Sequence, residues 1–251
     1  MKYKFSAYKA DARVVLSGNY SLVAGSAFIL FLILYLFRMP FAIMMMSASS
    51  YMTIVIGIVA DFIIGLLGMM MFIGLKHIHL SLARGMETSM KDLFYAFKNR
   101  SNQFVKAALF FTVIDYIFQA PRLVWAALGQ YYFDLATYYL VFFLMYLVWA
   151  VAYLAVVLNH ALVFELCLDH IEYTVSDALR QSRQMMKGYR THYFWLHASF
   201  AGLYILGVVS MMIGFLWVIP YIVQTQECYY LMRINEGAQE YQKGDYFEES
   251  V

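Results

Sequence analysis

Charge is what this chain has least of. Lys, Arg, Asp and Glu make up 14% of 251 residues, against 63% hydrophobic. Soluble domains carry about a quarter charged residues, so an ordinary soluble fold is excluded. A mean hydropathy of +0.63 agrees. Ten-residue segments of alternating polarity are missing too, which excludes a membrane β-barrel. Apolar runs in lipid must then be helices, because their backbone groups have to be bonded within the segment. Cysteine is limited to Cys167 and Cys228, both near the inner ends of runs, which fits a reducing compartment and no disulfide. The net charge of +2 is too small to point to nucleic acid.

Catalytic signatures are absent as well. The chain has no GxSxG elbow, GxxxxGK[ST] phosphate loop, GxGxxG turn or HExxH zinc spacing. Ser210 and His197 share one run but stand more than three turns apart. His77 and His79, at i and i+2, point about 200° apart on a helix and do not chelate together. His160, Glu165, Asp169 and His170 read as a polar collar. The expectation is a protein that is not an enzyme and that holds neither metal nor cofactor.

What is present is six apolar runs, at 20–37, 52–75, 104–120, 135–165, 193–212 and 215–231. A hydrocarbon core about 30 Å thick needs roughly 20 residues per helix. The third run is short, and residues 123–128 extend it past Pro121. The stretch at 11–13 is too polar for a signal-peptide core and no small-residue cleavage site follows, so the first run reads as a retained span. Of the eighteen basic residues, all but Arg38 and Arg122 fall on one side if the spans alternate from a cytoplasmic N-terminus. That side includes Lys2, Lys76, Arg84, Lys91, Lys106, Arg233 and Lys243. Cytoplasmic loops retain basic residues, so both termini are expected inside.

The chain also repeats a plan: an amphipathic segment, a Gly or Asn break beside an aromatic, then a helical hairpin. In the first copy Phe5, Tyr8, Ala12, Val15 and Leu16 share a face flanked by Lys9 and Arg13, ahead of Gly18-Asn19-Tyr20. In the second Met90, Leu93, Phe94 and Phe97 precede Lys98-Asn99-Arg100. In the third Val175, Ala178, Leu179, Met185 and Met186 alternate with Arg180, Arg183 and Lys187 before Gly188-Tyr189-Arg190. Such segments suit the headgroup layer, where anionic lipid adds about 1 kcal/mol per basic residue. The hairpin units fall at about 1–75, 88–165 and 174–233. Together they form one domain, 1–235, followed by a short acidic tail, 236–251.

Three acids lie inside apolar runs: Asp61, Asp115 and Glu227. A carboxylate at mid-membrane costs about 2.5–3.5 kcal/mol on insertion scales, so each must face protein or water. They are candidates for a proton or cation path, with bonding between helices as the alternative. Pro220 removes a backbone donor and is expected to kink or break the last run, with Trp217 and Tyr221 on one face and Gln224 close by. Arg38 and Arg122 are expected to pair with Asp134 or to reach outward. Gly57, Gly65, Gly68 and Gly74 read as a close-packing stripe, and Tyr131, Tyr132, Tyr138 and Tyr139 as an outer aromatic belt.

Several of these residues carry a resemblance. The stretch from Ala178-Leu179 through Ser182 to Met186-Lys187-Gly188 is followed by Phe194, Ser199-Phe200, Gly214-Phe215-Leu216-Trp217, Pro220-Tyr221 and Tyr229-Tyr230. It resembles the bacterial family called domain of unknown function 975. Ala12 with Leu16-Ser17-Gly18-Asn19, Leu82-Ala83-Arg84-Gly85, Asp92-Leu93-Phe94 and Phe97-Lys98 agree with it. Tyr20, Glu227 and His170-Ile171-Glu172 depart from its pattern. The resemblance implies a multi-pass bacterial membrane protein and assigns no catalytic residue.

The sequence thus leads to an all-α polytopic protein of a bacterial cytoplasmic membrane, with six transmembrane helices in three hairpins. Its leading functional reading is transport-associated or membrane-organising. An inner face carrying Lys9, Arg13, Lys98, Arg100, Arg180, Arg183, Lys187 and Arg190 would bind anionic lipid or another membrane protein. The alternative is a small-solute or ion transporter using Asp61, Asp115 and Glu227.

Overall fold

The computed structural model describes residues 4–46, 50–132, 134–170 and 172–248, with the side chains at 120–132, 135 and 237–248 outside that description. Expectations for Lys2, Arg122, Tyr131, Tyr132, Lys243 and the acidic tail's side chains therefore lie outside the described residues. Among those described, every regular element is helical.

The first helix, α1 (Phe5–Leu16), buries Tyr8, Ala12 and Leu16, one residue per turn. It ends at Gly18, whose φ of +85° suits a residue without a Cβ. Then come α2 (Tyr20–Met46), which runs on through Pro40, and α3 (Tyr51–Ala83), capped by the Ser50 side chain accepting from the Met52 amide. A 3₁₀ turn at Met90–Phe94 starts with a Ser89/Asp92 capping box and leads into α4 (Tyr95–Lys98) and α5 (Ser101–Tyr132). Asp134 caps α6 (Leu135–Asn159) by accepting from the Thr137 amide. The short α7 (Val163–Asp169) follows, and Thr174 and Asp177 form a second capping box on α8 (Val175–Met185). The remaining helices are α9 (Arg190–Ala198), α10 (Ala201–Val209) and α11 (Phe215–Glu248).

Among the described residues, four helical stretches are long and apolar enough to cross a membrane: Tyr20–Met46, Tyr51–Ala83, Ala136–Asp169 and Arg190–Val209. The runs at 104–120 and 215–231 lie within α5 and α11, which are not among the four. The fifth run is interrupted at Ser199–Phe200, between α9 and α10. Pro220 breaks nothing, for α11 is continuous from Phe215. The proline stands in the second turn and forgoes one bond, to the Leu216 carbonyl.

Packing is uneven along these helices. The N-terminal stretch of α3 leaves Ile54, Val55, Ile56, Ile58, Val59 and Ile63 exposed, whereas Ile73, Leu75, Ile78 and Leu80 at its other end are buried. There α3 meets α2, α7, α11 and the 3₁₀ turn. Gly74 permits the closest of these approaches, because a Cβ would run into the Leu93 carbonyl.

α1 is not a free surface helix. It lies along α11, with Tyr8 against the Tyr229 ring at 5.3 Å between centroids. Arg13 donates to the Tyr221 hydroxyl (3.1 Å), and Lys9 donates to the Ser199 carbonyl (3.1 Å) above the Phe200 ring.

Candidate functional site

The packed end of α3 is built around a buried cation. Lys76 is 4% exposed, and its ammonium donates to Glu165 of α7 (2.5 Å), to Glu227 of α11 (3.0 Å) and to Gln226 (3.3 Å). An ammonium has three protons, and all three are used. Both glutamates are wholly buried. Their second oxygens have no hydrogen-bond partner among the described residues. With both carboxylates ionised the formal charges would sum to −1, and a single proton on either free oxygen makes the cluster neutral.

Helical spacing explains why the groups meet. Lys76 and His79 are three apart on α3, and Gln224 and Glu227 are three apart on α11, so each pair occupies one face. The two faces oppose one another. His79 Nδ1 lies 2.8 Å from Gln224 Oε1, and Gln224 Nε2 donates to the His79 carbonyl at 3.1 Å. Gln226 reaches His197 Nε2 at 2.8 Å, while His197 Nδ1 lies 3.1 Å from the Tyr193 carbonyl. A carbonyl only accepts, so His197 carries its proton on Nδ1 and receives one from Gln226.

Toward the helix ends a collar closes over this cluster. Asp169 binds Arg84 at 2.6 Å and the Tyr230 hydroxyl at 2.7 Å. The hydrogen bond to Asp169 leads the causes that raise the Arg84 pKa above its ordinary value. Arg100, at φ +46°, donates to the Cys167 carbonyl (3.2 Å) and the His170 carbonyl (3.4 Å). Arg233 is buried against the Tyr189 ring and donates to the Met185 carbonyl.

Beside the cluster runs a groove of about 620 Å³. α2 walls it with Leu30 and Leu34, α6 with Leu154 and Val157, and α3 floors it from Gly65 to Lys76. The eleven steps from Gly65 to Lys76 span about 16 Å at 1.5 Å each. A second cavity of about 480 Å³ lies between α5 and α6, and Tyr153 and Leu154 line both.

The acids singled out in the sequence do not gather. Glu227 joins the lysine cluster. Asp61 stands fifteen residues before Lys76 on α3, about 22 Å away along the axis. It binds Arg38 at 3.0 Å and the Tyr116 hydroxyl at 2.5 Å, with the ion pair about half exposed. Arg38's partner is therefore Asp61, and Asp134 instead caps α6. Asp115 accepts from Gln119 at 2.6 Å beside the second cavity. Gln224 and Pro220 are buried, while Tyr221 is half-buried beneath α1.

Of the basic residues, Lys98, Arg180, Arg183, Lys187 and Arg190 are exposed, with Arg180 paired to Asp177. Lys9, Arg13 and Arg100 turn toward the protein as described above.

Lys76 and its two glutamates are what sequence reading missed as a unit. Lys76 reads as a loop residue because it ends an apolar run. The available signal was that no helix breaker follows until Gly85, so Lys76 and His79 continue the helix. Among the described residues, no three His, Cys, Asp or Glu gather as a cage for a metal ion.

Residues 8–236 match the family of proteins of unknown function designated DUF975. The chain belongs to this family. No curated protein matches the chain, and no solved structure does. For a DUF975 protein, the lysine cluster and its groove thus stand on their own chemistry.

Proposed function

We propose that this DUF975 protein is a non-enzymatic, multi-pass protein of a bacterial cytoplasmic membrane. The packed end of its helices faces the cytoplasm, and that end holds anionic lipid at the inner leaflet. Its work is organising lipid or supporting a neighbouring transporter. One observation carries the reading: the exposed cations Lys98, Arg180, Arg183, Lys187 and Arg190 collect at the same end of the helices as the buried lysine cluster. Arg100 ties the chain after α4 to the end of α7, and Ser182 of α8 ties to Leu162 and Asn159. All of these positions therefore ring one end, and a ring of Lys and Arg is the signature of a cytoplasmic face. Each basic residue near an anionic surface contributes about 1 kcal/mol. Seating the charged cluster among packed helices also keeps it out of lipid, where its cost would be several kcal/mol.

Thermal unfolding of the purified chain in lipid nanodiscs tests this. Nanodiscs containing phosphatidylglycerol should stabilise the protein over purely zwitterionic ones, and Arg180→Gln with Lys187→Gln should shrink the difference. Equal midpoints in both lipids would contradict the proposal.

A further inference from the structure

The groove and two of the cations together describe a site for one lipid molecule. His160 lines the groove where α6 ends. Its Nδ1 lies 2.9 Å from the Val156 carbonyl, so that nitrogen carries the proton and Nε2 is left as an acceptor. Arg183 Nη2 stands 3.5 Å from Nε2, and the charge of Arg190 also acts on the same ring. Among the described residues neither arginine has a carboxylate within ion-pair distance. Both are exposed. A guanidinium without a carboxylate partner thus reaches His160 at one end of a groove lined mainly by apolar side chains, while Arg38, the other arginine along it, is paired with Asp61.

We infer that the groove between α2 and α6 holds an acyl chain of one anionic phospholipid, with its phosphate against Arg183 and Arg190. Charge decides the orientation. Lys76 also lines the groove, but its three protons are spent on Glu165, Glu227 and Gln226, which leaves none for a phosphate. The arginines are unspent, and a guanidinium matches phosphate with paired donors. The floor spans about 16 Å, long enough to take much of an acyl chain, and its aliphatic and aromatic lining matches that chain chemically.

This inference rests on the inward basic face proposed above but adds a saturable site to it, and the two fail differently. The probe is phosphatidylglycerol with a diazirine on its acyl chain, photolysed with the intact chain in nanodiscs and mapped by peptide mass spectrometry. Crosslinks are expected at Phe111, Leu158, Phe164 and Phe194 in the groove. They should be competed away by unmodified phosphatidylglycerol and not by phosphatidylcholine. Native mass spectrometry of detergent-purified protein should show one retained phosphatidylglycerol. Arg183→Gln with Arg190→Gln should cut its occupancy at least tenfold, and Ala161→Trp, which fills the groove, should abolish it. Ala161→Trp should still prefer anionic nanodiscs, because the surface cations are untouched. Crosslinks spread evenly over the exposed faces of α2 and α6, or retention unchanged by both variants, would overturn the groove site while leaving the basic face standing. Loss of all preference for anionic lipid would overturn both.

Discussion

The two ends of α3 are both rich in apolar residues and opposite in surroundings. From Tyr51 to about Ile63 its Ile and Val side chains are exposed on most sides; from Met70 to Ser81 nearly every residue is buried. Asp61, at the first end, has an ion pair about half exposed, whereas Lys76, at the second, is buried with its glutamates. The difference teaches where such a fold places its polar chemistry. Lipid supplies no hydrophobic drive between helices, so an exposed apolar face costs nothing there. A buried charge requires surrounding protein to supply its partners. The packed end is therefore where the ionic groups of this chain are concentrated.

The sharpest way to break that comparison is to remove the cation. Lys76→Met leaves two buried carboxylates unpaired and should cost about 3–5 kcal/mol, seen as loss of monodisperse protein and a fall in melting temperature. Neutralising the whole cluster with Lys76→Met, Glu165→Gln and Glu227→Gln should recover most of that loss, because removing every charge leaves none uncompensated. If the triple variant were worse than the single one, the cluster would not be an ion pair holding helices together.

Glycine substitutions come next. Gly74→Ala drives a Cβ into the Leu93 backbone carbonyl and should cost about 1–3 kcal/mol. Gly57→Ala, at the loose end, meets only the Met45 side chain. A flexible thioether moves aside, so this variant should melt within a degree or two of the parent.

Asp61→Asn should do less than Gly74→Ala. Asparagine keeps an oxygen acceptor for Arg38 and for the Tyr116 hydroxyl, so the contacts survive the loss of charge. The smallest effect is pH-dependent and lies at α8. The Thr174 hydroxyl and amide bond the Asp177 carboxylate and hold its pKa below the ordinary value. A depressed carboxylate stabilises the fold above its unfolded pKa, near 3.9, and that contribution is lost as pH falls through the folded value. Thr174→Ala should lower the melting temperature slightly at neutral pH, and the two profiles should converge as pH falls through the folded value, which flattens the variant's acid limb.

Much of this was legible in the residues themselves. Alternation was absent, so helices followed, and the family emerged from Met186-Lys187-Gly188 and Pro220-Tyr221. The breaks at Gly18, Gly188 and Arg100 coincide with positive φ. The surroundings of each helix were not legible. Apolar side chains are the same letters whether they meet lipid or protein, so nothing in the run at 52–75 marked where α3 enters the packed end. For the same reason Lys76 read as a loop cation and α1 as a surface helix, although Tyr8 packs on Tyr229. Asp61, Asp115 and Glu227 were visible as acids inside apolar runs, but one-dimensional spacing gave no means of knowing that Lys76 and Glu165 would claim only Glu227.

The most direct test of the two-surroundings account is carbene footprinting of α3 in a bilayer, using a small hydrophobic diazirine that partitions into lipid. The account predicts strong labelling at Ile54, Val55, Ile58, Val59 and Ile63, and next to none at Ile73, Leu75, Ile78 and Leu80. Equal labelling along both ends would contradict it, because Lys76 would then lack the packed protein that makes its burial possible.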